Sequence, residues 1–174
     1  MKLAPRGART QRAAFTLLEL LVVIGLVAIL TGIVIGVGGR AIETGRVTRA
    51  RAELAAIAAG LEAYKRAYGD YPRTDDAAQL LRALLGQRGP GSDAAFNGRV
   101  LIESARFTVL GGVLLDPWER PYIYAYKTPA AGWTNPGFVL YSGGPDRSEF
   151  SRLTSGGFPD PTGTGNADNV YAGR

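Results

Sequence analysis

Hydrophobic residues recur along this chain in three different rhythms, and each rhythm predicts a different element. From Leu20 to Gly39 no residue is charged, and Leu, Val and Ile fill most positions. Coiled as a helix, that run spans about 30 Å, the thickness of a bilayer's hydrocarbon core. A helix buried in a globular core rarely stays apolar on every face for so long. The pattern therefore predicts a membrane-inserting helix. Beyond Gly39 the rhythm changes: Val47, Ala50, Leu54, Ile57, Leu61, Tyr64 and Tyr68 are spaced alternately by three and four, with Arg46, Arg49, Arg51, Glu62 and Arg66 off the stripe. That is one apolar face of an α-helix. With no proline between Thr16 and Tyr71, a single helix is predicted from near Phe15 to about Tyr68. Glu62 and Arg66 have the spacing of a favourable i, i+4 pair. The short stripe, followed by a compact region, favours packing on the chain's own domain over a coiled-coil dimer.

Gly69-Asp70-Tyr71-Pro72 stops the helix. A second, short helix is predicted next, with Thr74 as its N-cap, Asp75 and Asp76 in the first turn, and Leu80, Leu81, Leu84 and Leu85 on its buried face. Residues 87–98 are rich in turn formers and read as a loop. Val100–Ile102 and Phe107–Leu110 are short strand candidates. The third rhythm is a period of two: Tyr122, Tyr124 and Tyr126 share one face of a strand, with Ile123 and Ala125 on the other. After a Pro- and Gly-rich turn, Gly137–Ser142 supplies a second strand. The pair predicts an antiparallel hairpin with one face against the long helix.

Composition narrows the chemistry. The 174 residues contain neither His nor Cys, which removes Ser-His-Asp triads, imidazole proton shuttles, thiol nucleophiles, disulfides and His- or Cys-ligated metals. Carboxylates, hydroxyls, Lys, Arg and oxygen-preferring metals are left. Lys and Arg number 20 against 15 acids, a net charge of +5. Four of those cations, Lys2, Arg6, Arg9 and Arg12, stand in the first 14 residues, which carry no acid. Four more, Arg40, Arg46, Arg49 and Arg51, follow the apolar run, so charge bias leaves the membrane orientation undecided. Ile33–Ala41 fits G-x-G-x-x-A, but a dinucleotide-binding turn needs a second strand ending in an acid, and the segment that follows is helical. Gly32-x-x-x-Gly36 instead offers a close approach for another apolar helix.

Glu19 is the acid that a plain anchor does not explain, because a carboxylate in lipid is costly. A secretory signal would be shorter and would carry a cleavage site after its apolar run. The stretch Ala14-Phe15-Thr16-Leu17-Leu18-Glu19-Leu20-Leu21 resembles the processing site of type IV pilins and type II secretion pseudopilins. The resemblance implies that a prepilin peptidase cuts between Ala14 and Phe15. It also implies N-methylation of Phe15 and a role for Glu19 in assembly, pairing with the new amine in the same chain or a neighbour. In the family the residue before the cut is usually Gly. Ala14, the next smallest, implies slower processing. Removing the four leader cations from 20 leaves 16 basic residues against 15 acidic, a net of +1, so the basic charge gives no reason to expect nucleic acid as a partner.

Asp116-Pro117-Trp118 with Pro121-Tyr122, then Leu140–Asp146, resembles the C-terminal sheet of the type II secretion major pseudopilins. There the pattern commonly reads Asp-Pro-Trp-Gly-x-Pro-Tyr, and Glu119 stands here in place of the Gly. The tail from Ser142 to Arg174 is rich in Gly, Ser, Asp and Asn and reads first as a solvated end. The resemblance implies a calcium-clamped loop there, with Ser142, Asp146 and Asp168 as ligands and Asn166 and Asn169 in reserve. Calcium takes six to eight oxygens from such a segment.

The fold expected is α+β and pilin-like, a long N-terminal helix packed on a small C-terminal antiparallel sheet. Residues 1–14 form a cleaved leader, 15–39 the membrane and assembly half of the helix, and 40–174 an extracytoplasmic domain. By resemblance this is a subunit of a type II secretion pseudopilus. Its partners would be the prepilin peptidase, copies of itself, other pseudopilins, the inner-membrane secretion platform and, before assembly, lipid. The leader would face the cytoplasm and the domain the periplasm of a bacterial inner membrane. A type IV pilin or minor pilin is the near alternative. A membrane-tethered enzyme using Asp116, Glu119, Asp146 or Glu149 is the distant one. Asp-Pro and Gly-Pro-Asp read first as turns, so no catalytic residue is expected.

Overall fold

A computed structural model describes residues 16–90, 96–127, 132–146, 153–160 and 168–173. The chain divides into two compact units, residues 1–41 and 42–174. Helix α1 (Leu17–Tyr68) is followed by α2 (Ala77–Leu84), a 3₁₀ turn η1 (Ser104–Arg106) and five short strands: β1 (Thr108–Leu110), β2 (Val113–Leu115), β3 (Ile123–Ala125), β4 (Val139–Ser142) and β5 (Val170–Tyr171). β1 and β2 form one antiparallel pair, and β3-β4-β5 form an antiparallel sheet with β4 in the middle. This is the expected α+β arrangement.

The residues 33–41 that mimic a nucleotide-binding turn lie inside α1. In the second unit the predicted stripe faces inward. Ala50, Leu54, Ile57, Leu61 and Tyr64 are fully buried, and the first four pack in one cluster with Leu80, Leu84, Trp118, Tyr122, Tyr124 and Leu140. The helix therefore lies on its own domain. Gly60 is needed there: a Cβ at this position would sit 2.5 Å from the Ile102 side chain.

α1 ends at Tyr68, and Gly69 N–H donates to the Lys65 carbonyl at 2.7 Å. The Glu62–Arg66 pair does not form. Glu62 Oε1 instead accepts from the Tyr71 hydroxyl at 2.6 Å, a partner made available only by the turn that follows. The N-cap of α2 is Asp76, two residues beyond the expected Thr74; its Oδ1 accepts from the N–H groups of Ala78 and Gln79, both at 2.8 Å. Thr74 Oγ1 accepts from Asp76 N–H, so the threonine supports the capping residue. Val100–Ile102 is not a strand, although Leu101 N–H donates to the Leu84 carbonyl. The 107–110 candidate becomes β1.

Tyr122, Tyr124 and Tyr126 are all buried, as the alternation predicts. Their hydroxyls need partners in a dry interior, and each finds one: Tyr122 donates to Glu53 Oε2 at 2.6 Å, Tyr124 to the Pro72 carbonyl at 2.7 Å, and Tyr126 to Asp70 Oδ1 at 2.5 Å. β3 and its flanking tyrosines are thus tied by polar contacts to α1 and to the turn that follows it, as well as by packing.

Candidate functional site

Three places carry candidate chemistry. At the start of α1, Thr16 precedes the first helical residue, and its Oγ1 accepts from Glu19 N–H at 3.2 Å. A threonine three residues ahead of a glutamate is the sequence of an N-terminal cap, and the bond satisfies an otherwise orphaned donor. Glu19 is thereby fixed in the first turn, exposed, with no ion partner among the described residues. Ala14 and Phe15 lie outside the described residues.

From Leu17 to Ile33 the large apolar side chains are exposed on all faces, between 50% at Val23 and 82% at Leu17. Gly25 and Gly32 have nothing within 4 Å of where a Cβ would stand. No helix among the described residues is long and apolar enough to cross a membrane. The apolar side chains described there reach only Ile33, about 25 Å of helix at 1.5 Å per residue. An uncovered apolar surface of this extent marks an interaction site, in a bundle or in lipid.

The second place is the loop after β4, where Asp168 meets residues 144–146. Asp168 Oδ2 accepts from Asp146 N–H at 2.9 Å, and a Cβ on Gly144 (φ +72°) would fall 2.4 Å from the Asp168 carbonyl oxygen. Only glycine admits that approach. Two of the three sequence-derived calcium ligands, Asp146 and Asp168, are therefore brought together. Ser142 is turned away from them: its fully buried hydroxyl donates to Asp116 Oδ2 and accepts from Gly144 N–H at 3.2 Å. No group of three or more acidic residues able to hold a metal occurs among the described residues. Carboxylate and backbone carbonyl oxygens are the donors calcium prefers; the contact shown here is from the Asp146 N–H to the Asp168 carboxylate, and the Ser142 hydroxyl is engaged by Asp116. Asn166 is outside the described residues.

The third place is a set of acids, of which Glu53 and Asp70 had no role in the sequence reading. Asp116, considered for catalysis, is buried; its Oδ1 accepts from the N–H groups of Trp118 and Arg120, both at 2.9 Å. It holds the Asp-Pro-Trp turn. Glu119 is exposed, and Glu149 lies outside the described residues. Buried Glu53 accepts from Arg49 Nε at 2.7 Å and from Tyr122, and burial together with that bond pushes the Tyr122 phenol well above its usual range. At Asp70, burial would raise the carboxyl. The Tyr126 hydroxyl, Arg73, Lys127 and Tyr71 N–H outweigh that and hold it well below the usual carboxylate range. The signal for Glu53 and Asp70 is weak in one dimension, since each partner other than Arg49, Tyr71 and Arg73 is remote in sequence. Glu53 of α1 fastens Tyr122, just before β3, and Asp70, in the turn after α1, fastens Tyr126 and Lys127, just after β3.

A family model described as type II secretion system (T2SS), protein G matches residues 39–154. One described as prokaryotic N-terminal methylation motif matches residues 9–35. Over 161 residues the chain is 33% identical to the type II secretion system core protein G of Pseudomonas aeruginosa, an alignment that covers 92% of this chain and 99% of that protein. No solved structure matches.

Proposed function

The chain belongs to the type II secretion system protein G family, and from that premise we propose that it is the structural subunit that polymerises into the pseudopilus. The observation that carries this reading is the exposed apolar surface from Leu17 to Ile33, headed by Glu19. Copies of the chain can bury that surface against one another. Before they do, lipid covers it, with the helix inserted as a single pass, the leader in the cytoplasm and residues 40–174 in the periplasm. The pilin alternative gains nothing from the family match. The role is mechanical, and its residues are those of packing and pairing.

Maturation follows from the methylation motif at residues 9–35. A prepilin peptidase cuts between Ala14 and Phe15, Phe15 receives the methyl group, and the inner-membrane platform and sibling pseudopilins then receive the chain. Mass spectrometry of protein purified from membranes should show a chain starting at Phe15 with a methylated amine. A Met1 start in cells that contain the peptidase, or a cut after the apolar run, would overturn the reading.

Calcium, if bound, is held by Asp146 and Asp168 with backbone carbonyls of the same loops, and it would supply a cross-link between the loop after β4 and the segment before β5. Gly144 keeps the two segments close enough for such a cross-link.

A further inference from the structure

The inward stripe of α1 has one more member than its apolar residues show. Counting back from Ala50 and Val47 by the same three-four spacing, the next position is Glu43. Ala41, Ile42, Thr44, Gly45 and Arg46 around it are exposed, whereas Glu43 is partly buried. Trp118 covers it. The indole Nε1 donates to Glu43 Oε1 at 2.9 Å, across 75 residues of sequence.

Trp118 is itself buried in the core cluster, so its indole N–H has to find an acceptor within the fold. Asp116 decides where the ring sits. Its Oδ1 accepts from Trp118 N–H at 2.9 Å, and its Oδ2 accepts from the Ser142 hydroxyl of β4. Bonds thus run from the middle strand of the sheet, through the Asp-Pro-Trp turn, to α1. The other oxygen of Glu43 faces Arg46 at 3.8 Å. An exposed pair at that distance adds little, which leaves the indole as the main partner.

Without this bond the first fully buried side chain of α1 is Ala50, about 10 Å farther along the helix. The stretch is otherwise soft. Gly45 has nothing within 4 Å of where a Cβ would stand, and Gly36, Gly38 and Gly39 precede it in α1. Glycine is a poor helix former and a frequent site of kinks. We propose that Glu43 and Trp118 form a clamp that fixes residues 43–49 of α1 on the rest of residues 42–174, with Asp116 positioning the tryptophan. In a polymerising subunit the clamp would give every copy the same helix exit. It is a property of the single chain, so its test does not depend on the subunit reading.

The chain has no Cys, which gives a clean background for spin labels. Full-length chain in detergent micelles is labelled at Gly45→Cys and Leu110→Cys, and a reference sample at Ala59→Cys and Leu110→Cys. All three positions are exposed. Both pairs should show a single narrow distance distribution. Glu43→Ala should broaden the 45–110 distribution and leave 59–110 unchanged, because Leu54, Ile57 and Leu61 still hold that part of the helix. Trp118→Phe, which keeps an aromatic ring and loses the donor, should do the same. Glu43→Gln keeps the acceptor oxygen and loses the charge, and it should keep the narrow peak. A 45–110 distribution unchanged in Glu43→Ala would overturn the clamp. Equal broadening of both pairs would overturn it too, as general loosening. Broadening in Glu43→Gln as large as in Glu43→Ala would assign the hold to charge and remove the indole bond.

Discussion

Glu119 is held at φ +66°, in the left-handed region where a side chain with a Cβ costs about 1–2 kcal/mol. It stands where the Asp-Pro-Trp-Gly pattern has glycine, and its exposed side chain gains no packing there. The turn forms regardless, because Asp116 Oδ1 holds the N–H groups of Trp118 and Arg120 and Asp116 N–H donates to the Arg120 carbonyl at 2.8 Å. Glu119→Gly should relieve the strain and, after the extra entropy of an unfolded glycine, stabilise residues 42–174 by about 0.5–1 kcal/mol. A higher urea midpoint is expected; a lower one would mean that the glutamate makes a compensating contact. Asp70 gives the opposite case. Its carboxyl is held below the ordinary value of about 3.9, so its contribution is complete above that value and is lost as pH falls through the lower folded value. Asp70→Asn should cost about 1 kcal/mol at pH 7, and the gap to the unsubstituted protein should close in acid titrations below about pH 4. A gap unchanged at pH 3 would contradict the charge-based account.

At the level of elements, what could be read from the sequence was what repeats. The three-four stripe from Val47 to Tyr68 and the alternate tyrosines 122, 124 and 126 encode their inward faces in spacing alone; the tyrosines and the stripe from Ala50 to Tyr64 are buried as read, and Val47 and Tyr68 at the stripe's ends are partly buried. What escaped depended on partners remote in sequence. The tail was read as a solvated end because two-residue β5 has no pattern of its own; pairing with Tyr141 and Ser142 makes it a strand. Thr74 looked like a cap by type, but only the placement of α2 decides that Asp76 has that role. Ser142 looked like a metal ligand by its neighbours in sequence, and buried Asp116, 26 residues away, claims its hydroxyl. The calcium proposal can be tested on this distinction. Calcium should raise the thermal midpoint of residues 42–174, since a ligand at a hundredfold its dissociation constant adds about 2.7 kcal/mol. Asp168→Ala should abolish that response. Ser142→Ala should lower the baseline stability and keep the response. Loss of the response in Ser142→Ala alone would return the serine to the ligand set.

For the whole molecule, the question is how one chain is stored as a monomer and then assembled. The apolar side chains from Leu17 to Ile33 are uncovered within the protein, so lipid and a bundle of copies compete to cover them. Exchange between the two is tolerable only if Glu19 is not stranded, because an unpaired carboxylate inside an apolar bundle costs several kcal/mol. On the proposed processing, cleavage before Phe15 would create the compensating cation, and Thr16 Oγ1 accepts from Glu19 N–H at the start of the helix. Glu19→Ala should therefore insert normally, since it removes a charge from the apolar segment, yet leave the Phe15 amine unpaired in the assembled bundle. Filament yield should fall at least about tenfold, the equivalent of losing one weak buried ion pair. Glu19→Gln, which keeps the size and loses the charge, should fail to the same degree. Filaments from Glu19→Gln at normal yield would show that shape alone suffices at this position and would remove charge pairing from the account of assembly.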